Sequence, residues 1–291
     1  MRAETGFRSI FKQELPFFWA TPAFVWQVLF LYIPLFLVLI YSILGNAGLS
    51  EYLTLEHYTA LLDPMYAAIL LRSFMLANVN ALLCTLLAFP VAYYLAFFVT
   101  RFKNHLIFFL ILPFWISFMV QIYAWFFVLE KHGLINSLLL NLGIISQPIH
   151  LLNTPFAIYL VMIYCYVPFA VMPIYSTLEK FDKRLLEASA DLGATPWQTF
   201  LRVTLPLSAL GIRTGFFLVL VPSFGEFVIP TLLGGGKQLY VGSLISHYFL
   251  LARNFNLGAS FTCVSGIVLI ISGISWYLLF RWAFNLSRRA Q

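Results

Sequence analysis

One carboxylate stands where the chain is otherwise hydrocarbon. Glu226 is the only acidic residue well inside a long apolar run, and Pro222, Gly225 and Pro230 surround it. A charged residue at a bilayer centre costs about 2.5–3.5 kcal/mol on insertion scales, so it must face a partner or a water-filled path. A cationic solute is the ligand such a group would attract. Trp115, Tyr123, Trp125 and Tyr166 lie in two neighbouring apolar runs. Each of these rings can hold an ammonium group with about 0.5–2 kcal/mol. The competing readings are a structural hydrogen bond near the outer interface for Glu226, and packing or an interfacial belt for the aromatics. The prolines and glycine beside Glu226 predict a bent or broken helix, the form in which transporters expose backbone at substrate sites.

A second stretch, EASADLGATPWQTFLRVTLPLSA at residues 187–209, is polar where its surroundings are not. Asp182 is placed to cap a helix running from Lys183 through Asp191. Gly193 suits the left-handed residue just past that helix's end. Thr195-Pro196-Trp197-Gln198 restarts a helix: Thr195 is the cap, Pro196 takes the first turn, and Gln198 completes a capping box. Pro206 limits this second helix. Leu185, Leu192, Trp197, Phe200 and Leu201 are apolar anchors, while Lys183, Glu187 and Arg202 bring charge. A helix–turn–helix of this kind suits recognition in the groove of a soluble partner. Packing on the protein's own spans is the alternative.

The elements that must position these residues follow from composition. Of 291 residues, 62% are hydrophobic and only 10% charged, and mean hydropathy is +0.90. A soluble domain carries about 25% charged residues, so the bilayer is the natural solvent here. Six stretches exceed the roughly 20 residues that cross about 30 Å at 1.5 Å per residue. They lie near Phe24–Leu44, Ser73–Val99, His105–Leu129, Pro155–Leu178, Leu210–Leu233 and Ser260–Phe284. The ten-residue alternation of a transmembrane barrel is missing. The first stretch is too long for a cleavable leader and reads as a retained span.

Placing the N-terminus in the cytoplasm leaves only Arg72, Lys131, Lys237 and Arg253, of 17 Lys and Arg, on the far side. That asymmetry predicts both termini inside and the 187–209 stretch in the cytoplasm. The net charge of +6 is thus a topology signal, and no basic patch is large enough for nucleic acid. Cys84, Cys165 and Cys263 all fall in predicted spans and read as apolar filler. The histidines lack metal-ligand spacing. Leu55–Asp63 and Gly133–Leu142 have helical periodicity, and the latter suits a shallow helix at the membrane surface. Gly234-Gly235-Gly236-Lys237-Gln238 fails as a phosphate loop, because Thr231 stands where its first glycine belongs and no Ser or Thr follows Lys237. It reads as a turn.

Glu187-Ala188-Ser189, Gly193, Val203 and Leu205-Pro206 resemble the EAA loop of ABC importer permeases. Ser189 stands for the family's second alanine and Val203 for its isoleucine. The loop's place between the fourth and fifth spans matches as well. The resemblance implies an all-α type I permease fold: six transmembrane helices with a cytoplasmic helix–turn–helix coupling loop, residues 179–207, in a single domain over 1–291 with a cytoplasmic segment at 1–22. It implies that the loop docks on an ATPase, with Glu187 in charge contact, Ala188 in close packing, Gly193 at the turn, and Ser189, Leu192 and Trp197 beside them. It further implies a cytoplasmic ATPase dimer that uses ATP, a second homologous permease subunit, a periplasmic substrate-binding protein and a bacterial inner membrane. No cofactor is expected on this chain, and no Walker A motif occurs in it.

A narrower resemblance, to spermidine/putrescine importer permeases, rests on Leu61-Leu62-Asp63-Pro64, Pro113-Phe114-Trp115, Gln121-Ile122-Tyr123, Leu178-Glu179-Lys180-Phe181-Asp182-Lys183 and Gly225-Glu226-Phe227-Val228-Ile229-Pro230. Permeases for iron, thiamine or other small solutes share parts of these runs. A proton-coupled secondary transporter would need further intramembrane relays and leaves the EAA-like loop unexplained. A non-transporting scaffold leaves Glu226 unexplained.

Overall fold

The computed structural model describes residues 21–45 and 53–289, with side chains through 284. The expected cytoplasmic segment 1–22, with Arg2, Arg8 and Lys12, lies almost wholly outside the described residues, as do the side chains of Arg288 and Arg289. The described residues are helical and contain no strand. Among the described residues four helices are long and apolar enough to cross a membrane alone, and up to six spans result if each of two bent pairs counts as one.

The chain packs as two units. The first holds the described residues up to Asp63 together with His247–Val264. Its α1, Thr21–Ile43, is an apolar helix with outward-facing side chains. A π turn at Val28–Tyr32 precedes Pro34; the missing proline N–H and its ring's clash with the previous turn are absorbed by widening the helix there. The free carbonyls at the end of α1 find donors. Ser260 Oγ donates to Ser42 O at 2.9 Å, and Asn256 Nδ2 to Leu44 O at 3.1 Å. His57, on the short helix α2 (Glu56–Ala60), also bonds Leu44 O at 3.0 Å.

The second unit holds Pro64–Ser246 and the chain from Ser265 on. In chain order its helices are α3 (Pro64–Phe97), α4 (Lys103–Trp115), α5 (Phe118–Leu129), α6 (Leu134–Asn141), α7 (Pro155–Glu179), α8 (Arg184–Asp191), α9 (Pro196–Leu207), α10 (Ala209–Phe224) and α11 (Val228–Leu233). Helix α12, Val241–Leu251, has no counterpart in the sequence reading. Helix α13 is Phe255–Arg289.

Helices α3, α7 and α10 pack against one another as the core. Between apolar helices in lipid, close backbone approach replaces the hydrophobic drive, so small residues collect at the contact. Ala77, Ala81, Cys84, Ala88 and Ala92 of α3 are fully buried. On α10, Gly211 and Gly215 form a G-x-x-x-G pair facing α7. A Cβ on Gly211 would stand 2.7 Å from Pro173 O, and one on Gly215 would stand 2.9 Å from Ala170 O. Polar links join the same helices: Asn80 Nδ2 donates to Ser223 Oγ at 2.8 Å. The Trp276 indole donates to Asn78 Oδ1, and Phe216 packs on the Trp276 ring at 4.7 Å.

Two spans depart from expectation and a third breaks where expected. The second span begins at Pro64 rather than Ser73; Arg72 interrupts the hydropathy but not the helix. The third is not continuous over His105–Leu129: its axis turns by 94° between Lys103–Trp115 and Phe118–Asn141. Pro113 removes an N–H from the last turn, Leu112 before it stays helical, and the chain turns at Ile116 and Ser117, which are extended with ψ of 138° and 130°. The fifth is interrupted at Gly225–Phe227, the break the sequence leads one to expect beside Glu226.

Candidate functional site

At the break in the third span, the last turn of α4 tightens to a 3-10 turn over Leu112–Trp115. Within it Pro113 O accepts from Ile116 N at 3.1 Å. Gln121 Nε2 adds a second donor to Pro113 O at 2.5 Å and reaches Ile116 O, just past the turn, at 3.1 Å. Gln121 is buried. It stands in one of the runs that carry the polyamine-permease resemblance, but sequence reading gave it no role; a buried amide eight residues after a proline is the signal that could have found it.

At the break in the fifth span, the first N–H groups of α11 need acceptors. Val228 N donates to Glu226 Oε1 at 2.9 Å and Ile229 N to the same oxygen at 3.3 Å. The Tyr166 hydroxyl, from the middle of α7, donates to Glu226 Oε2 at 2.6 Å. Glu226 is 7% exposed. It therefore makes the structural hydrogen bonds that one reading assigned to it, and it also lines an open cavity.

That cavity, about 740 Å³, lies where the two breaks meet α7. Pro113, Phe114, Trp115 and Gln121 come from the third span, Cys165, Tyr166 and Phe169 from α7, and Pro222 and Glu226 from the fifth. The Phe114 and Phe169 rings meet edge-on at 4.6 Å. The chamber has aromatic walls and one carboxylate, and its volume falls within the roughly 300–1,000 Å³ of small-molecule sites. Of the five pathway residues read from sequence, Glu226, Trp115 and Tyr166 share this lining. Tyr123 and Trp125 do not. The chain turns at Ser117, so positions further along α5 leave the cavity: Tyr123 is half exposed, and Trp125 meets Tyr164 at 5.3 Å.

The 179–207 loop is a second site. Helix α8 begins at Arg184, one residue later than expected, although Asp182 Oδ1 does accept from Arg184 N at 3.0 Å. Gly193 has φ 80°, which only a residue lacking Cβ adopts at no cost. Thr195 and Gln198 exchange the two bonds of the capping box, at 2.9 and 3.3 Å. Ser189 Oγ and Thr199 Oγ1, 2.7 Å apart, tie α8 to α9. Pro206 does not end α9. A π turn at Phe200–Thr204 accommodates it, and the helix runs to Leu207 before a 62° bend into α10. The loop is anchored inward by Phe200 on Phe89 of α3 at 5.7 Å and by Phe181 on Phe97 at 6.0 Å. Its turn faces outward: Leu192 is 88% and Trp197 67% exposed, and Glu187 and Ala188 are exposed too. Leu185, Ala188, Leu192, Val203 and Pro206 line a groove of about 370 Å³ beside that turn.

Residues 85–289 of this chain match the family described as binding-protein-dependent transport system inner membrane component. The chain belongs to this family. As such a component it is a multi-pass inner-membrane protein with a transport role and is not an enzyme. Among relatives of this transport component, the spermidine/putrescine transport system permease protein PotB of Escherichia coli K12 is 40% identical over 253 residues, spanning 84% of this chain and 92% of that protein. The protein of the same name from Haemophilus influenzae is 39% identical over 240 residues, spanning 81% and 84%. A bacterial ABC transporter involved in import of the polysaccharide alginate superposes with a TM-score of 0.75 at 17% identity, over 97% of this chain and 98% of that one. At that identity the likeness concerns the fold, that of ABC importer permeases.

Proposed function

We propose that this chain is the permease subunit of an ATP-driven importer that carries polyamines such as putrescine and spermidine into the cytoplasm. The observation that carries the reading is the Glu226 carboxylate, set in the aromatic wall of a chamber between two broken spans. A linear cation gains there both charge attraction and ring faces. The likeness to polyamine permeases supports the cargo. The exposed turn at Leu192 and Trp197, rigidified by Gly193 and the Thr195–Gln198 box, supports residues 179–207 as the coupling loop. In this reading Glu187, Ala188, Ser189, Gly193, Leu192 and Trp197 dock on one subunit of a cytoplasmic ATPase dimer, and both termini, including residues 1–22, are cytoplasmic. The whole of 1–291 acts as one permease domain beside a second, homologous permease. A periplasmic binding protein delivers the cargo. ATP belongs to the partner, and this chain holds no cofactor. Closure of the ATPase moves the loop, and rigid shifts of the helices open the chamber to one side and then the other.

The test is uptake of labelled putrescine and spermidine by the complete complex in vesicles. Wild-type complex imports them only with ATP on the loop side. Glu226→Gln removes a charge-assisted contact of about 1.5–3 kcal/mol, so the apparent KM rises about ten- to a hundredfold while assembly is intact. Unchanged kinetics would remove Glu226 from the path, and import of another solute in place of polyamines would overturn the cargo. Glu187→Lys reverses the docking charge and should lose the ATPase on co-purification; recovery at wild-type yield with normal transport would contradict the docking assignment.

A further inference from the structure

The coupling loop leaves the helical core at Glu179, the last residue of α7. That side chain is held from two directions. Lys103 Nζ donates to Glu179 Oε1 at 2.9 Å, and the Tyr175 hydroxyl donates to the same oxygen at 2.7 Å. The Lys103 ammonium also lies 5.1 Å from the centre of the Tyr175 ring. Lys103 is the first residue of α4. One cluster of three side chains therefore fastens the start of α4 to the end of α7, immediately before the loop begins.

Both fastened helices reach the cavity with their other parts. Helix α4 delivers Pro113, Phe114 and Trp115 to its wall roughly 15–18 Å further on, at 1.5 Å rise per residue. Helix α7 delivers Tyr166 and Phe169. The two meet again at the Phe114–Phe169 ring contact of 4.6 Å. They form a frame joined near the cytoplasm and touching at the chamber. The loop is covalently continuous with α7 only. Through Lys103 it is also tied to α4.

We propose that Lys103 and Tyr175 are positioning residues that hold Glu179 against α4, so that a displacement of the coupling loop moves both cavity walls together. The proposal rests on the coupling-loop reading above. An ion pair with side chains 22% and 49% exposed contributes little to stability. Its placement at the junction of loop, α4 and α7 is what gives it an effect: without it, α7 follows the loop and α4 lags.

The test uses the complete complex in vesicles and compares wild type with Lys103→Gln, Tyr175→Phe, and the charge exchange Lys103→Glu with Glu179→Lys. The readouts are complex yield, unfolding temperature, and ATP hydrolysed per solute imported. Lys103→Gln should leave yield and unfolding temperature at wild-type values and raise the ATP cost per solute several-fold. Tyr175→Phe should raise it less, since the ring stays. The exchanged pair should bring the ratio back toward wild type, which a merely structural lysine would not do. An unchanged ratio in Lys103→Gln, a fall in yield and stability that fully accounts for lost transport, or no recovery in the exchanged pair would each overturn the proposal. A wild-type complex that imports nothing with ATP would instead defeat the functional reading itself, which keeps the two failures apart.

Discussion

In the third span the break leaves carbonyls at and just past the end of α4 short of donors, and the side chain that reaches them is an amide, Gln121. In the fifth the break leaves N–H groups at the start of α11, and the side chain that reaches them is a carboxylate, Glu226. A helix C-terminus needs a donor and an N-terminus needs an acceptor. The polar residue at each break answers the end of helix it serves. What is left over differs. The Gln121 amide has two N–H groups, and both are used. A carboxylate offers about four lone-pair positions, and three donors reach Glu226. The donors of the first residue are both taken by the fold. The second mends its break and still has acceptor capacity for something in the chamber.

Reversing the sign at the first break should give the largest effect. Gln121→Glu would set acceptor oxygens against Pro113 O and Ile116 O: Pro113 O keeps the Ile116 N–H, Ile116 O loses the side-chain donor it has, and both face a buried like-signed group. The carbonyl left unpaired costs about 1–3 kcal/mol, and repulsion between the new carboxylate and both carbonyl oxygens adds to it. Thermal unfolding of the purified protein in lipid discs, followed by tryptophan fluorescence, should show a clear drop in midpoint. A midpoint equal to wild type would mean that the bend at Ile116 and Ser117 holds without its amide.

The two breaks were unequally legible in sequence, and the reason is physical. A charge in hydrocarbon must be explained, so Glu226 with Pro222 and Gly225 announced its break. Gln121 carries no charge, and the apolar run continues through Pro113 and Ser117, so hydropathy reported one span where the backbone turns by 94°. The caps of the 179–207 loop were readable because Thr195, Gln198 and Gly193 act on their own backbone within a few residues. Pro206 was misjudged because a π turn upstream can absorb a proline. The Gly211–Gly215 spacing is plain in the chain, but that it meets Pro173 and Ala170 is a property of two helices together. Tyr123 and Trp125 were grouped with Trp115 on the premise of a straight helix, and the bend separates them.

Changing the second break conservatively should separate stability from transport. Glu226→Gln keeps a carbonyl oxygen for Val228 and Ile229, and its new amide can donate to the Tyr166 oxygen. Every buried group stays paired, so the cost in stability should stay below about 1 kcal/mol. The unfolding midpoint is expected near wild type while polycation uptake falls. A large loss of stability would mean that the negative charge itself, and not only the acceptor, holds the start of α11.

The smallest effect, and the one that divides the two roles of Glu226 most finely, belongs to Tyr166→Phe. Oε1 remains fixed by two backbone N–H groups, so the carboxylate keeps its orientation without the hydroxyl. What is lost is a donor on Oε2, while the ring remains on the cavity wall. A cation in the chamber then meets an oxygen with more of its acceptor capacity free. Of the roughly 1.5–3 kcal/mol of a hydrogen bond to a charged group, a share of about 0.5–1 kcal/mol released to the cargo corresponds to about a two- to fivefold lower apparent KM for the polycation, since 1.4 kcal/mol is tenfold. The sign is opposite to that of Glu226→Gln, although both changes alter the same pair. Uptake measured over a range of putrescine concentrations would distinguish the outcomes. A raised KM would show that the hydroxyl orients the carboxylate for cargo instead of competing with it, and Tyr166 would then join the backbone of α11 in setting the geometry of the site.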